Sequence, residues 1–237
     1  MHQQIPIVVL AKQAKEANVH YCKSVLENEI KDIHVEHIAL TSKHDITDST
    51  QDGYKTVYLF VKGNGDVVVE NTNYQIVPET IFLPNAVKNI TIKSANESTL
   101  HYLKITCKLS AKDHIDLQEL PTENTQNIYY AKFSDCQSYS ETIKSPNTVS
   151  RTILSNQYIP RVAMGTVETK GPDKVAAHEH PMLEQLFLGL SKNNCIVYAD
   201  DEKVDFPEYS VLHIPLGSRH SVSVEKDEVM YLSLIHI

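Results

Sequence analysis

The sequence predicts an all-β protein built as two related halves, and three observations predict it. From Thr56 the chain runs in short apolar stretches of strand length, separated by turn residues and interrupted by few helical patterns. The stretch VYLFVKGNGDVVV (57–69) lies over QLFLGLSKNNCIVYA (185–199), and IFLPNAVKN (81–89) lies over LHIPLGSRH (212–220), so the second half repeats the first. Between them, residues 110–150 are polar and rich in Ser, Thr and Asn, with Pro121 and Pro146. Pro121 and the following TENTQN mark the expected boundary, giving units of 1–120 and 121–237.

The elements follow in chain order. Residues 1–50 open with IPIVVL and continue as AKQAKEANVHYCKSVLENEIKD, where periodicity fits either a helix or an irregular strand pair. His34, His37 and His44 form no His-x-His pair and read as loop histidines in solvent. Strands are expected at Val57–Lys62, Asp66–Glu70 and Thr80–Leu83, the first two joined by a turn at Gly63-Asn64-Gly65, because glycine tolerates positive φ. ITIKS and LHYLKITCKLS continue the pattern. NIYYAKFSD (127–135) is expected to be the first strand of the second unit, and RVAMGTVETKG and VAAHEHP to follow as consecutive strands. MYLSL fits a last strand. Ser233–Ile237, SLIHI, reads as translated sequencing adapter, so the natural C-terminus is taken to lie elsewhere and His236 is left out of the functional set.

Composition narrows the function. Of 237 residues, 41% are hydrophobic, enough for a core, and 22% are charged, ordinary for a soluble chain. A formal charge of −8 argues against a general nucleic-acid surface, which needs clustered Lys and Arg. No 18-residue apolar run spans a membrane, and the N-terminus lacks a basic export signal, so the expected location is cytoplasmic. Cys22, Cys107, Cys136 and Cys195 are scattered and read as free thiols.

The chemistry concentrates in GPDKVAAHEHPMLEQLFLG (171–189) and PLGSRH (215–220). Side chains alternate along a strand, so His178 and His180 point the same way, close enough to hold one ion. A tight turn at Pro181 leads to a strand that begins near Glu184 and Gln185, and His220 comes from another hairpin. Three neutral imidazoles and one oxygen ligand suit a divalent first-row metal: Fe, Mn, Zn or Ni. If Glu184 faces inward, so do Leu186, Leu188 and Leu190; if Gln185 does, Phe187 and Gly189 follow it. An anionic oxygen holds a hard cation better, which favours Glu184 and keeps Gln185 as the alternative. Two further residues are weak catalytic candidates: Arg161, for a substrate carboxylate, and Tyr198, as a general acid. Alternation turns Arg219 away from the metal if His220 faces it.

These segments resemble the two motifs of the cupin superfamily. His178, His180 and Glu184 fall on the first, G-x5-H-x-H-x3,4-E-x6-G, and Pro215, Gly217 and His220 on the second, G-x5-P-x-G-x2-H-x3-N. Gly171 lies one residue too far upstream, and Ser191, Tyr209 and Val224 replace the other two glycines and the asparagine. The resemblance covers residues 150–235 best. It implies two tandem cupin-type β-barrels (double-stranded β-helix, jelly-roll, RmlC-like), with a divalent metal in the C-terminal one. In the N-terminal half Pro84 matches Pro215, but Ala86 and Asn89 stand where Gly217 and His220 do, and no His-x-His precedes Val57, which implies a barrel without a metal site. The function implied is a metal-dependent enzyme on a small oxygen-rich substrate, a sugar or sugar-acid isomerase or lyase. The alternatives are a cupin dioxygenase, or a non-catalytic cupin that binds a sugar. Dioxygenases of the quercetin type call for an aromatic-lined cavity, and this chain has 7% aromatics and no tryptophan. A small-molecule substrate and a homodimer are the expected partners.

Overall fold

The computed structural model describes residues 4–10, 20–42 and 44–237. Contacts group the described residues into two units: 20–135 with 156–160, and 4–10 with 136–155 and 161–237. The change of unit along the chain therefore falls between Asp135 and Cys136, after the helical stretch that follows Pro121.

The first unit faces two antiparallel sheets across an apolar core. One sheet runs β11 (Tyr129–Lys132), β8 (Thr80–Leu83), β5 (Tyr54–Lys62), β10 (Leu100–Lys108), β3 (Ile33–Leu40), β2 (His20–Ser24). The other runs β4 (Asp45–Ser49), β9 (Asn89–Ser94), β6 (Gly65–Val69), β7 (Thr72–Ile76). Alternation sends Ile38, Leu40, Tyr58, Phe60 and Tyr102 inward to meet Val67 and Ile92, so large aromatic side chains fill this interior. Gly63 turns at φ +82, and a Cβ there would strike the Thr99 carbonyl, so the expected turn between β5 and β6 depends on glycine. Two helices follow β10: α1 (Ala111–Glu119), opened by a capping box between Ser110 and Asp113, and α2 (Thr122–Gln126). Among the described residues, no helix is long and apolar enough to cross a membrane.

The second unit repeats the plan. Its larger sheet runs β1 (Ile7–Val9), β19 (Ser210–Ile214), β16 (Gln185–Gly189), β21 (Val229–His236), β14 (Val162–Lys170), β13 (Val149–Ile159), β12 (Ser138–Tyr139). Its smaller sheet runs β15 (Asp173–His178), β20 (His220–Val224), β17 (Asn194–Ala199), β18 (Glu202–Pro207). Phe187, Val197, Leu212, Val222 and Leu232 meet between the two sheets.

Three expectations from the sequence are corrected. NIYYAKFSD does not open the second unit: β11 pairs with β8, Tyr129 opposite Leu83, and extends the first unit's sheet. The corresponding edge of the second unit is taken by β1, with Ile7 opposite Leu212, and Ile5 enters its core. Hydrophobic alternation identifies a strand but not the sheet edge that will accept it. Third, His37 is no solvated loop residue. It lies on β3, fully buried, on the opposite face from Ile38, with its Nε2 3.2 Å from Nδ1 of His101 and the two rings stacked. Of the 1–50 segment, the described parts form β1 to β4; residues 11–19 lie outside the described residues. All four cysteines are unbridged.

Two outcomes are expected. Ile5→Ala should cost the second unit about 2–3 kcal/mol through lost burial and the cavity left behind, read from denaturant unfolding. A loss below about 0.5 kcal/mol would show that residue 5 is not part of that core. Burial lowers both His37 and His101 from 6.5 to about 4, each ring also feeling a nearby positive charge, from His101 and from Lys62 respectively. A lowered histidine binds its proton in the unfolded chain before the native one. Stability is therefore whole above about pH 6.5 and declines as the pH falls from there toward 4. His37→Leu should flatten that slope in thermal melts across the window; an unchanged slope would exclude the pair as its source.

Candidate metal centre

The smaller sheet of the second unit assembles the histidines. β15 pairs antiparallel with β20, and after an irregularity between Val175 and His178 the register sets His178 opposite His220. β15 ends there, so His180 projects from the chain just before the turn at Pro181. Gly217, at φ +76, gives the turn that returns the chain to His220. Tyr209, standing where the second motif has a glycine, adopts φ +54, so the left-handed backbone is kept although the residue is not.

One ligand atom from each of His178, His180 and His220 lies within 4.8 Å of the other two. Ring centroids are 4.5 Å apart for 178 and 220, 4.9 Å for 178 and 180, and 5.5 Å for 180 and 220. His178 Nδ1–H donates to the Ala176 carbonyl at 2.8 Å, and His220 Nδ1–H to the Ser218 carbonyl at 3.1 Å. A carbonyl only accepts, so these bonds place the proton on Nδ1 and leave Nε2 as a bare lone pair in both rings. Burial and then the neighbouring charges hold His220 down at about 4, although the Ser218 carbonyl opposes the shift. Burial and the charge of His178 lower His180 as well. Neutral imidazoles that converge on one point are what a divalent ion requires.

The two candidates for the fourth ligand separate onto different faces. Phe187 points into the core, and alternation brings Gln185 with it into the cavity. Gln185 Oε1 is buried and makes no hydrogen bond to protein. Glu184 Oε2 instead accepts from Nε2 of His213 at 2.8 Å, and Leu186 and Leu188 are buried outside the inward cluster that holds Phe187. The structure thus brings together His178, His180, His220 and Gln185, and sets Glu184 beside His213. Arg161 lies exposed, at φ +58, in the turn between β13 and β14, and Tyr198 meets Ser223 on the outward face of β17; neither lines the cavity. Arg219 is exposed, as alternation from His220 implies.

The cavity encloses about 170 Å³ within the second unit. Its wall is largely aliphatic, with Leu154, Val167 and Met230 among the lining residues, and Thr152 joins the histidines and Gln185 among its polar side chains. His236, on the last strand and opposite Gln185, also lines it, its ring centroid 5.9 Å from that of His180 and its pKa held at about 4 by burial and then by His180. Four lining residues from the polar stretch that reads as a linker escaped the sequence reading: Tyr139, Glu141, Ile143 and Lys144. Lys144 Nζ lies 2.6 Å from Glu141 Oε1 and donates to Ser150 Oγ at 3.1 Å. Nothing in their spacing signals a site.

No family model matches the chain, and no curated protein does. Solved structures match over its whole length. A cupin 2 conserved barrel domain protein from Leptotrichia buccalis is 16% identical, with a TM-score of 0.70 over 100% of this chain and 99% of that one. The oxalate decarboxylase of Lactobacillus farciminis is 12% identical, TM-score 0.69, over 100% and 87%. Protein Ylba of E. coli is 9% identical, TM-score 0.71, over 100% and 92%. These likenesses establish the fold: the chain consists of two tandem barrels of the cupin type.

The Glu184–His213 contact has a measurable weight. Glu184→Ala removes a hydrogen bond to a side chain only 4% exposed, and is expected to cost about 1–3 kcal/mol. Chemical denaturation checks this, and a cost near zero would make the contact incidental.

Proposed function

We propose that the second unit is a metal-dependent enzyme, in which His178, His180, His220 and Gln185 hold one divalent ion. The observation that carries this reading is the convergence of three imidazoles, two with their tautomer set by backbone carbonyls, beside a buried amide oxygen that has no partner in the protein. The donor set, three neutral nitrogens and one oxygen, fits Fe, Mn, Zn or Ni. When bound, such an ion polarises a carbonyl or hydroxyl oxygen of a substrate.

The protein's own contribution is a small chamber with the histidines at one end and much aliphatic wall around it. Phe187 meets the His220 ring edge-on at that end, with ring centroids 5.9 Å apart. A substrate that fits presents its oxygens to that end and its remaining atoms to aliphatic wall. Isomerisation or elimination next to a carbonyl suits this arrangement, because both need charge stabilised on oxygen and a group to move a proton. Sugar and sugar-acid isomerases belong to this class, as do cupins acting on smaller acids; the fold is shared with oxalate decarboxylase. Glu184, which the sequence favours as the fourth ligand, has the role of orienting His213.

Elemental mass spectrometry of untagged protein tests the reading. About one equivalent of metal is expected in the wild type. It should be lost in a His178→Ala/His180→Ala double variant, fall about tenfold in affinity in Gln185→Leu, and persist in Glu184→Gln. Full metal content in the double variant would overturn the ligand assignment. Loss in Glu184→Gln together with retention in Gln185→Leu would return the fourth position to Glu184. Bound iron with oxygen uptake would replace the isomerase or lyase reading by a dioxygenase.

A further inference from the structure

The cavity wall carries an ionic group that the histidines do not explain. Lys144, with a side chain only 7% exposed, and Glu141, 32% exposed, face one another at 2.6 Å on the turn between β12 and β13. Both line the cavity that holds His178, His180 and His220, and Tyr139 lines it beside them. The turn is pinned from several sides. Lys144 N–H donates to the Glu141 carbonyl at 3.1 Å, and Lys144 Nζ to Ser150 Oγ. Asp173, at the start of β15, accepts from the hydroxyls of Ser145 and Thr169. A surface ion pair on a free loop would be worth little. This one joins a buried lysine to a partly exposed glutamate on a cavity wall, where burying the ammonium costs desolvation and needs a reason to persist.

We propose, building on the metal-dependent reading above, that Glu141 is the residue that takes and returns a proton on the substrate. In the same proposal Lys144 keeps it in place, and the substrate is a small carbonyl compound with an apolar body. The step balances within the site. The Glu141 carboxylate accepts the proton from the carbon next to the carbonyl; that C–H bond breaks and its electron pair forms the carbon–carbon double bond of an enolate. The carbonyl π pair moves to oxygen, at the polar end of the cavity. The return of the proton from Glu141 to carbon restores the carbonyl compound.

Three features support these roles. First, the carboxylate must be ionised to act as a base. Burial alone would raise the Glu141 pKa, but the hydrogen bond and charge of Lys144, with further hydrogen bonds from Tyr139 and Ser150, outweigh it and lower the group. Second, Glu141 lines the same cavity as His178, His180 and His220. Third, the aliphatic and aromatic part of the wall, with Ile143, Leu154, Val167, Phe187 and Met230, offers no hydrogen bonds to a polyol chain and suits an apolar body better.

The test uses metal-reconstituted full-length protein and two 2-oxo acids with the same head and different bodies. These are 4-methyl-2-oxopentanoate and 2-dehydro-3-deoxygluconate. Proton NMR in heavy water reads exchange at C3, calorimetry reads binding, and elemental analysis reads metal. Wild type is expected to exchange the branched aliphatic acid at least about tenfold faster than the polyol acid. Glu141→Gln should keep its metal and bind the aliphatic acid within about threefold of wild type, while exchange drops about a hundredfold or more. Lys144→Met should keep its metal and lose about tenfold or more in exchange. Metal-loaded Glu141→Gln that exchanges at the wild-type rate would overturn the role of Glu141 and leave the metal centre standing. Preference for the polyol acid would overturn the substrate class. Wild type that retains no metal and exchanges neither acid would overturn the metal reading, and this inference with it.

Discussion

The pairing of β15 with β20 sets His178 across from His220, and the remaining geometry of the centre is built outward from that register. The irregularity after Val175 matters as much as the pairing, because a strict ladder would advance the chain by a fixed two-residue repeat. With the register shifted, β15 ends at His178, and His180 is freed to approach from the turn side. β17 lies on the other side of β20, with Ala199 opposite His220, and its small side chain leaves the ring space. The imidazoles are thus presented by backbone hydrogen bonds on two strands, and the carbonyls of Ala176 and Ser218 set the ring tautomers.

A second constraint is the competition between charge and burial. An acid buried near three histidines would be costly alone. Glu184 is accommodated by His213 on the neighbouring strand β19, and Glu141 by Lys144 and Ser150. What enters the cavity uncharged is the amide of Gln185, whose oxygen has no protein partner. In the first unit Tyr58, Phe60, Phe82 and Tyr102 pack in the core between its sheets, and Tyr58 OH donates to Asp48 at 2.9 Å. Related backbones thus carry different interiors, one with four large aromatic side chains between its sheets and one with a cavity beside its histidines.

Much of this was legible in the residues themselves. Alternating apolar runs predict the strands, the internal repeat predicts two units of one plan, and His-x-His followed by P-x-G-x-x-H marks the three imidazoles, because strand periodicity and turn chemistry are local properties. Tyr209 shows the limit of motif reading: its backbone does what a glycine would do, at φ +54, so the missing letter hid a retained conformation.

Other features could be decided only by the folded chain. Whether Glu184 or Gln185 faces inward depends on a single-residue phase, and β16 is apolar on both faces, so its pattern carries no phase information; packing of Phe187 into the core sets it. β1 and β11 are short strands whose sequences fit either unit, and the free edges of β19 and β8 decide where they pair. His37 and His101 are 64 residues apart and meet only through the pairing of β3 with β10. Glu141 and Lys144 sit in a stretch with linker composition, and they become part of a chamber because Asp173 and Ser150 hold their turn against it. Local sequence determined the strands and marked the three clustered histidines, since those follow from spacing within short segments. Tertiary structure decided which face, which edge and which distant charge completes the site, since those follow from contacts that spacing does not encode.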